Sequence, residues 1–324
     1  MKTVLLSTQN ELLTREKNIA HVKDVFAAQL GSELSLIKVS APLFVKSGTG
    51  FNDDLNGIER PVRFRLNGIP EPVEIVHSLA KWKRMRLHQL GMAPGQGIIT
   101  DMRAIRPDEE VSPVHSFYVD QWDWEKVISP ENRNLHYLKY TVKHIYAAIQ
   151  ATNSIVGASI GKPLQLPSDI HFIHSEELLG KYPALTPKER ENAIAKEYGA
   201  VFIMGIGGEL SNQQIHDHRA PDYDDWSTSN DDGYTGLNGD IVLWNPVLNS
   251  ALEISSMGIR VDATAMQHQL RLKKCTERAE LEFHANILNE TYPITMGGGI
   301  GQSRLCMFLL QQAHIADVQS SIWS

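Results

Sequence analysis

The chain has 324 residues and 36.3 kDa, is 42% hydrophobic and 21% charged, and sets 31 Lys+Arg against 38 Asp+Glu for a formal net charge of −7. That balance excludes a disordered chain, a collagen-like repeat and a disulfide-rich secreted scaffold. An acidic chain is also poorly suited to general nucleic-acid binding, which rests on neutralising phosphates.

Only Cys275 and Cys306 occur, without CxxC spacing, so a zinc ribbon or a redox pair is out. The apolar run at the amino terminus stops after Leu6, too short for a secretory leader. The longest apolar stretch, Ala200 to Ile206, falls far short of the ~20 residues a membrane span needs. The expectation is a cytoplasmic protein with no membrane contact, in which the Asn289-Glu290-Thr291 sequon has no meaning.

In chain order, the first thirty residues read as an amphipathic helix, with Val22, Val25, Phe26 and Leu30 spaced at three and four and Gly31 closing it. Strands are expected at 34–45, 61–66 and 73–77, then a helix over 79–90 carrying Lys81, Lys83, Arg84 and Arg86, whose ordinary reading is a solvated face from which a single Lys can reach a phosphate or carboxylate. Two strands follow at 97–106 and 116–124. Leu135, Leu138, Val142, Ile145 and Ile149 mark a long helix, and Thr186-Pro187 opens another. The stretch 211–239, rich in Asp, Asn, Ser and Gly, reads as a long loop of the kind that is either functional or disordered. Strands at 240–247 and 251–261, two helices, and a glycine-rich turn over 297–301 lead into a last helix. Consecutive strands with hairpin-like connections favour an α+β fold, an antiparallel sheet flanked by helices.

Several segments can carry chemistry. Gly299-Ile300-Gly301-Gln302-Ser303-Arg304 imitates a dinucleotide fingerprint but has Arg304 at the third glycine and no β-α-β context. Its glycines let a ligand approach backbone N–H groups, and Arg304 either lies on an aromatic ring or is a surface side chain. Arg106 is in phase with Ile98, Met102 and Ala104, so its guanidinium needs an anion: a phosphate, or Glu109. Phe117, Val119, Gln121 and Asp123 share one face of their strand, and Tyr118, Asp120, Trp122 and Trp124 the other. Asp240 and Glu253, on neighbouring strands, can hold Mg²⁺; the run 222–225 reads by itself as a solvated loop. His171 and His174 point apart, and His216-Asp217-His218 can bind a metal but reads more readily as a polar loop.

Taken together, His77 to Arg84, Arg106 to Glu109, Tyr118 to Trp124, Arg219 to Ser227, Gly236 to Asp240, Glu253 to Arg260 and Gly297 to Arg304 resemble ammonia-dependent asparagine synthetase (aspartate–ammonia ligase), a relative of the class II aminoacyl-tRNA synthetase catalytic core. The resemblance spans nearly the whole chain and is looser over 46–71 and 126–168. It implies a single catalytic domain, a class II-like core working as a homodimer with the amino-terminal helix 1–31 at the interface. It implies a ligase making L-asparagine from L-aspartate, ammonia and ATP through a β-aspartyl-adenylate, with no nucleic acid as partner. Carried over residue by residue, Asp53, Arg106 and Gln121 are catalytic, and Lys83, Asp123, Ser256 and Arg260 surround the amino acid. Glu109, Arg219, Asp224, Gly299, Gly301 and Arg304 contact ATP, while Asp240 and Glu253 hold Mg²⁺. The alternatives are an aspartyl- or asparaginyl-tRNA synthetase-like paralogue, which needs about 100 further residues to read tRNA, and a non-catalytic adenylate-binding regulator, which predicts broken site residues. Neither thiol stands in a glutaminase motif, so free ammonia is the expected nitrogen source.

Overall fold

The computed structural model describes residues 9–53 and 59–323, so the reading of the extreme amino terminus lies outside the described residues. The first helix, α1 (Gln9–Leu34), buries Ile19, Val22, Phe26, Leu30 and Leu34. It runs through Gly31 instead of closing there, because Leu34 continues the apolar stripe one turn beyond Leu30. It gives way at Ser35, whose φ is 58°. Short strands follow: β1 (Leu36–Lys38), β2 (Phe44–Lys46), β3 (Arg63–Phe64) and β4 (Val73–Ile75). After them come α2 (Ala80–Gln89), the long hairpin β5 (Gly97–Ile105) and β6 (Tyr118–Val127), and α3 (Leu135–Ile160).

The second half continues with β7 (His171–His174), α4 (Ser175–Lys181), α5 (Pro187–Tyr198) and β8 (Ala200–Met204). Thr186 caps α5 in a reciprocal bond with Glu189, and Pro187 occupies its first turn. Residues 211–237 cross as a loop with only isolated bridges. Then come β9 (Asn238–Asn245), β10 (Ser250–Ile259), α6 (Ala263–Leu272), α7 (Glu282–Leu288), β11 (Thr295–Gly301) and α8 (Gln302–Leu309).

Eight strands form one sheet in the order β1-β5-β6-β11-β10-β9-β8-β7, with β2-β4-β3 as a small separate sheet. The expectation of an antiparallel sheet needs correcting to a mixed one. The six central strands pair antiparallel, but β1 joins β5 and β7 joins β8 in parallel. A parallel pair needs a long crossover, and both edges have one: α4 and α5 lie between β7 and β8, and a segment including α2 lies between β1 and β5.

One face of the sheet carries the main core, in which Trp122 and Trp124 of β6 pack with α1, α3 and α8. Phe26 meets Trp122 at 4.6 Å between ring centroids. The opposite face is covered by α2 near Met102 and Ala104 and by α4 and α5 over Val201, Ile203 and Val242, and it opens between them as a cleft.

Candidate active site

The cleft encloses about 490 Å³ and is lined by residues from β6, β10, β11, α2 and the 211–237 loop. The glycines at 297–301 are not a turn. They form strand β11, so the expected turn is corrected: alternate glycines leave the cleft face of a strand without side chains. A Cβ on Gly297 would fall on the Glu125 carboxylate, and one on Gly299 would stand 2.5 Å from Gln121 Oε1 and 2.8 Å from Asp123 Oδ1. Side chains of β6 thus lie across β11 and reach β10, and any larger residue would bar them.

Through that gap runs a buried ion network. Arg260 donates to both Glu125 oxygens, with Nη2 2.7 Å from Oε2, and its Nη1 binds Asp224. Thr295 Oγ1 donates to Glu125 at 2.7 Å. Lys83 Nζ lies 3.1 Å from Asp123 Oδ1, 4.0 Å from Glu125 Oε2 and 3.0 Å from the Gly298 carbonyl. Burial pulls the Lys83 ammonium below its ordinary pKa, against the pull of Asp123 and Glu125. Burial pushes Glu125 up, but Arg260, Lys83 and Thr295 together outweigh it and the carboxyl ends below its ordinary range. Asp224 ends above its own, with burial the largest cause.

The solvated face expected of α2 needs correcting as well. Lys81, Lys83 and Arg84 are at most 3% exposed, because each finds a partner across the cleft floor. Arg84 binds the carbonyls of Val261 and Pro293, and burial lowers its guanidinium to about 10. Lys81 Nζ bonds Asp222 at 2.7 Å, and His284 Nε2 meets the same oxygen at 2.9 Å. The acidic run 222–225 is therefore no solvated loop: Asp222, Asp224 and Asp225 are buried, and Asp225 binds Arg133.

At one rim, Asp53 is 2% exposed and accepts from Ser78 Oγ at 2.9 Å, while its carbonyl meets His77 Nδ1 at 3.0 Å. Gln121 and Asp123, which share a face of β6, face the cleft. Arg106, just past β5, has Nη1 4.0 Å from Glu109 Oε2, and its Nε is buried without a partner among the described residues. Burial outweighs the charges of Arg106 and Arg304 and leaves Glu109 above its ordinary pKa. Arg304 donates to the carbonyls of Val114 at 3.3 Å and Glu253 at 3.1 Å. Near it, burial and the Arg304 charge depress His115 to about 4.

Asp240 and Ser256 are register partners on β9 and β10, and both bind Arg219 Nη2, Ser256 at 2.6 Å. Strict alternation would turn Glu253 to the core with Ser255. A bulge between Glu253 and Ser255 turns it onto the Asp240 face. Asp217, which the sequence reads more readily as part of a polar loop than as a ligand, brings its carboxylate to those of Asp240 and Glu253, with ligand oxygens within 4.8 Å of one another. Burial and the charges of Glu253 and Asp217 push the Asp240 carboxyl up to about 7, against Arg219. An all-oxygen set whose charges resist one another fits a hard divalent cation. Sequence reasoning missed Glu125; its place two residues after Asp123, in the Gln121 and Asp123 phase, was the available signal.

A family model described as aspartate-ammonia ligase matches residues 13–324. A curated aspartate–ammonia ligase from Parabacteroides distasonis is 56% identical over 311 residues, 95% of this chain and 90% of the relative. One from Clostridium perfringens is 53% identical over 316 residues, 96% and 91% of the two chains. Among solved structures, an asparaginyl-tRNA synthetase from Pyrococcus horikoshii complexed with asparaginyl-adenylate is similar at TM-score 0.70 and 14% identity, over 94% of this chain and 68% of that one. An Entamoeba histolytica asparaginyl-tRNA synthetase matches at TM-score 0.67 and 15% identity, over 95% and 67%. At such identities the structural likeness speaks for the fold, a class II synthetase core.

Proposed function

The chain belongs to the aspartate–ammonia ligase family, and from that premise we propose how its cleft makes L-asparagine from L-aspartate, ammonia and ATP. The observation that carries the reading is one cleft lined both by the buried cations Lys83 and Arg260 and by Arg106, whose Nε has no partner among the described residues. Such a cleft suits two anions brought together.

Lys83 and Arg260, fixed by Asp123 and Glu125, face the carboxylates of aspartate; Gln121, Asp123 and Ser256 meet its polar groups. The β-carboxylate attacks the α-phosphorus of ATP, forming β-aspartyl-adenylate and releasing pyrophosphate. Arg106 stabilises the charge that develops on the α-phosphate, the kind of preorganised term that usually dominates catalysis. Glu109, Arg219, Asp224 and the bare backbone at Gly299 and Gly301 meet ATP, and Arg304 lies on adenine. Asp240 and Glu253 would hold Mg²⁺, which supplies charge neutralisation on phosphate oxygens. Asp53 receives ammonium, which gives up a proton to solvent; the ammonia nitrogen then attacks the β-carbonyl carbon, the C–N bond forms as the C–O bond to AMP breaks, and a second proton leaves to solvent. The chain acts as one catalytic domain in a cytoplasmic homodimer with α1 at the interface, without nucleic acid.

Arg304→Ala is expected to weaken ATP binding by about 1–2 kcal/mol through lost stacking and to leave aspartate binding nearly unchanged. Calorimetric titration of both ligands checks it, and unchanged nucleotide affinity removes Arg304 from the adenine site.

The reaction itself is tested by product analysis after incubation with ATP, Mg²⁺, aspartate and ammonium; asparagine, AMP and pyrophosphate should appear together. Activity should rise with pH from neutral into the mildly alkaline range as free NH₃ grows. Glutamine alone should give no asparagine beyond that from contaminating ammonia. Cys306 is fully buried and its thiol is pushed up to about 12, so it is no glutaminase nucleophile. Stoichiometric glutamate release would overturn the nitrogen assignment.

A further inference from the structure

The carboxylates assigned above to the metal are already in contact with arginines assigned above to ATP. Arg219 Nη2 binds Asp240, and its Nη1 lies 3.8 Å from Asp217 Oδ2; Arg304 Nη1 lies 3.7 Å from Glu253 Oε1. From this we infer that Arg219 is the resident cation of a three-carboxylate site formed by Asp217, Asp240 and Glu253, and that it yields this place to a divalent ion. The inference deepens the proposed reaction and rests on it for the identity of the group that takes the arginine's place.

The geometry favours exchange over permanence. Ligand oxygens of the three carboxylates lie within 4.8 Å of one another, a separation at which like charges repel unless a cation stands among them. Arg219 supplies one positive charge to three negative ones. Its side chain is only 10% exposed, yet Nε is buried without a partner among the described residues. A buried unmade hydrogen bond penalises that placement, and the penalty is relieved when the guanidinium leaves. Arg219 stands on the 211–237 loop, outside helix and strand, so its movement breaks no ladder. Asp217 sits two residues earlier on the same loop and is half-exposed, placed to close over an ion from the solvent side.

Ion and arginine therefore compete for the same oxygens. A divalent ion alone binds against that competition. In the presence of ATP the displaced guanidinium finds phosphate oxygens, so ion and nucleotide reinforce each other.

The test is titration of the purified full-length chain with Mn²⁺ alone, reading free ion by electron paramagnetic resonance, without nucleotide or aspartate. Arg219→Met should bind Mn²⁺ about tenfold more tightly than the parent, a size ordinary for coupled sites. Adding Asp217→Asn to that variant should abolish the gain. Equal or weaker binding by Arg219→Met, or a double variant that keeps the gain, overturns the inference. Circular dichroism controls for folding, and Arg219→Gln replaces the methionine variant if that one fails to fold. The readout is independent of turnover: a parent that makes no asparagine removes the proposed reaction, whereas a parent that makes it while Mn²⁺ ignores Arg219 removes only the exchange.

Discussion

Replacing Arg106 with alanine is expected to slow pyrophosphate release from ATP and aspartate roughly 10²–10³-fold, the usual loss when one preorganised charge-stabilising donor is removed. The side chain holds no fold together. Its hydrogen bond to the His77 carbonyl is long at 3.4 Å, and its ion pair to Glu109 is 4.0 Å. The effect should therefore fall on the rate of adenylation, with the melting temperature little changed. A rapid-quench measurement of pyrophosphate release, beside a thermal melt, separates the two. A wild-type rate in a folded variant would exclude Arg106 from the chemical step.

Glu125→Ala should act in the opposite sense, on the fold as much as on the chemistry. Its carboxylate is fully buried and takes bonds from Arg260 and Thr295 while facing Lys83. Removing it leaves two buried cations with only Asp123 and Asp224 between them. Breaking a buried pair from one side typically costs about 3–5 kcal/mol, readable as a lowered urea midpoint. Glu125→Gln keeps the shape and should unfold later than the alanine variant. Without the negative charge it should still bind aspartate poorly, because Arg260 keeps only Asp224 of its two carboxylate partners. An unfolding midpoint equal to the parent's in both variants would show that the network is not needed for the fold.

Much of this site was legible because strands alternate. The phase separates Gln121 and Asp123 from Trp122 and Trp124, and the structure puts the first pair on the cleft and the second in the core. Arg106 was placed by the same rule. Where the rule misleads, the reason is local. Glu253 shares parity with Ser255 and Met257, and only the bulge turns it toward Asp240. No residue type announces a bulge there. Glycines at alternate positions look like a turn to any propensity scale, since the obstacle they avoid, the Glu125 carboxylate, is 172 positions away in the chain, as the numbering shows. The basic stripe of α2 and the acidic run 222–225 each look solvated in isolation, and each is buried because the other is present: Lys81 needs Asp222. Parallel edges were hidden in the same way, because strands of three or four residues carry no sign of direction.

The contacts that make the site also set when it can exist. Glu125 and Arg260 are 135 residues apart, Lys81 and Asp222 are 141, and Lys83 and Gly298 are 215. Loop closure of that span must come before any of these bonds can form, which makes pairings of high sequence separation slow to assemble. Until β10 and β11 dock beside β6, the carboxylates of Asp123 and Glu125 have no reason to leave water. A partly folded chain lacking those two strands holds its charges hydrated and its adenylating surface unbuilt. Competence to bind aspartate should therefore appear together with the last cooperative step of refolding, not ahead of it.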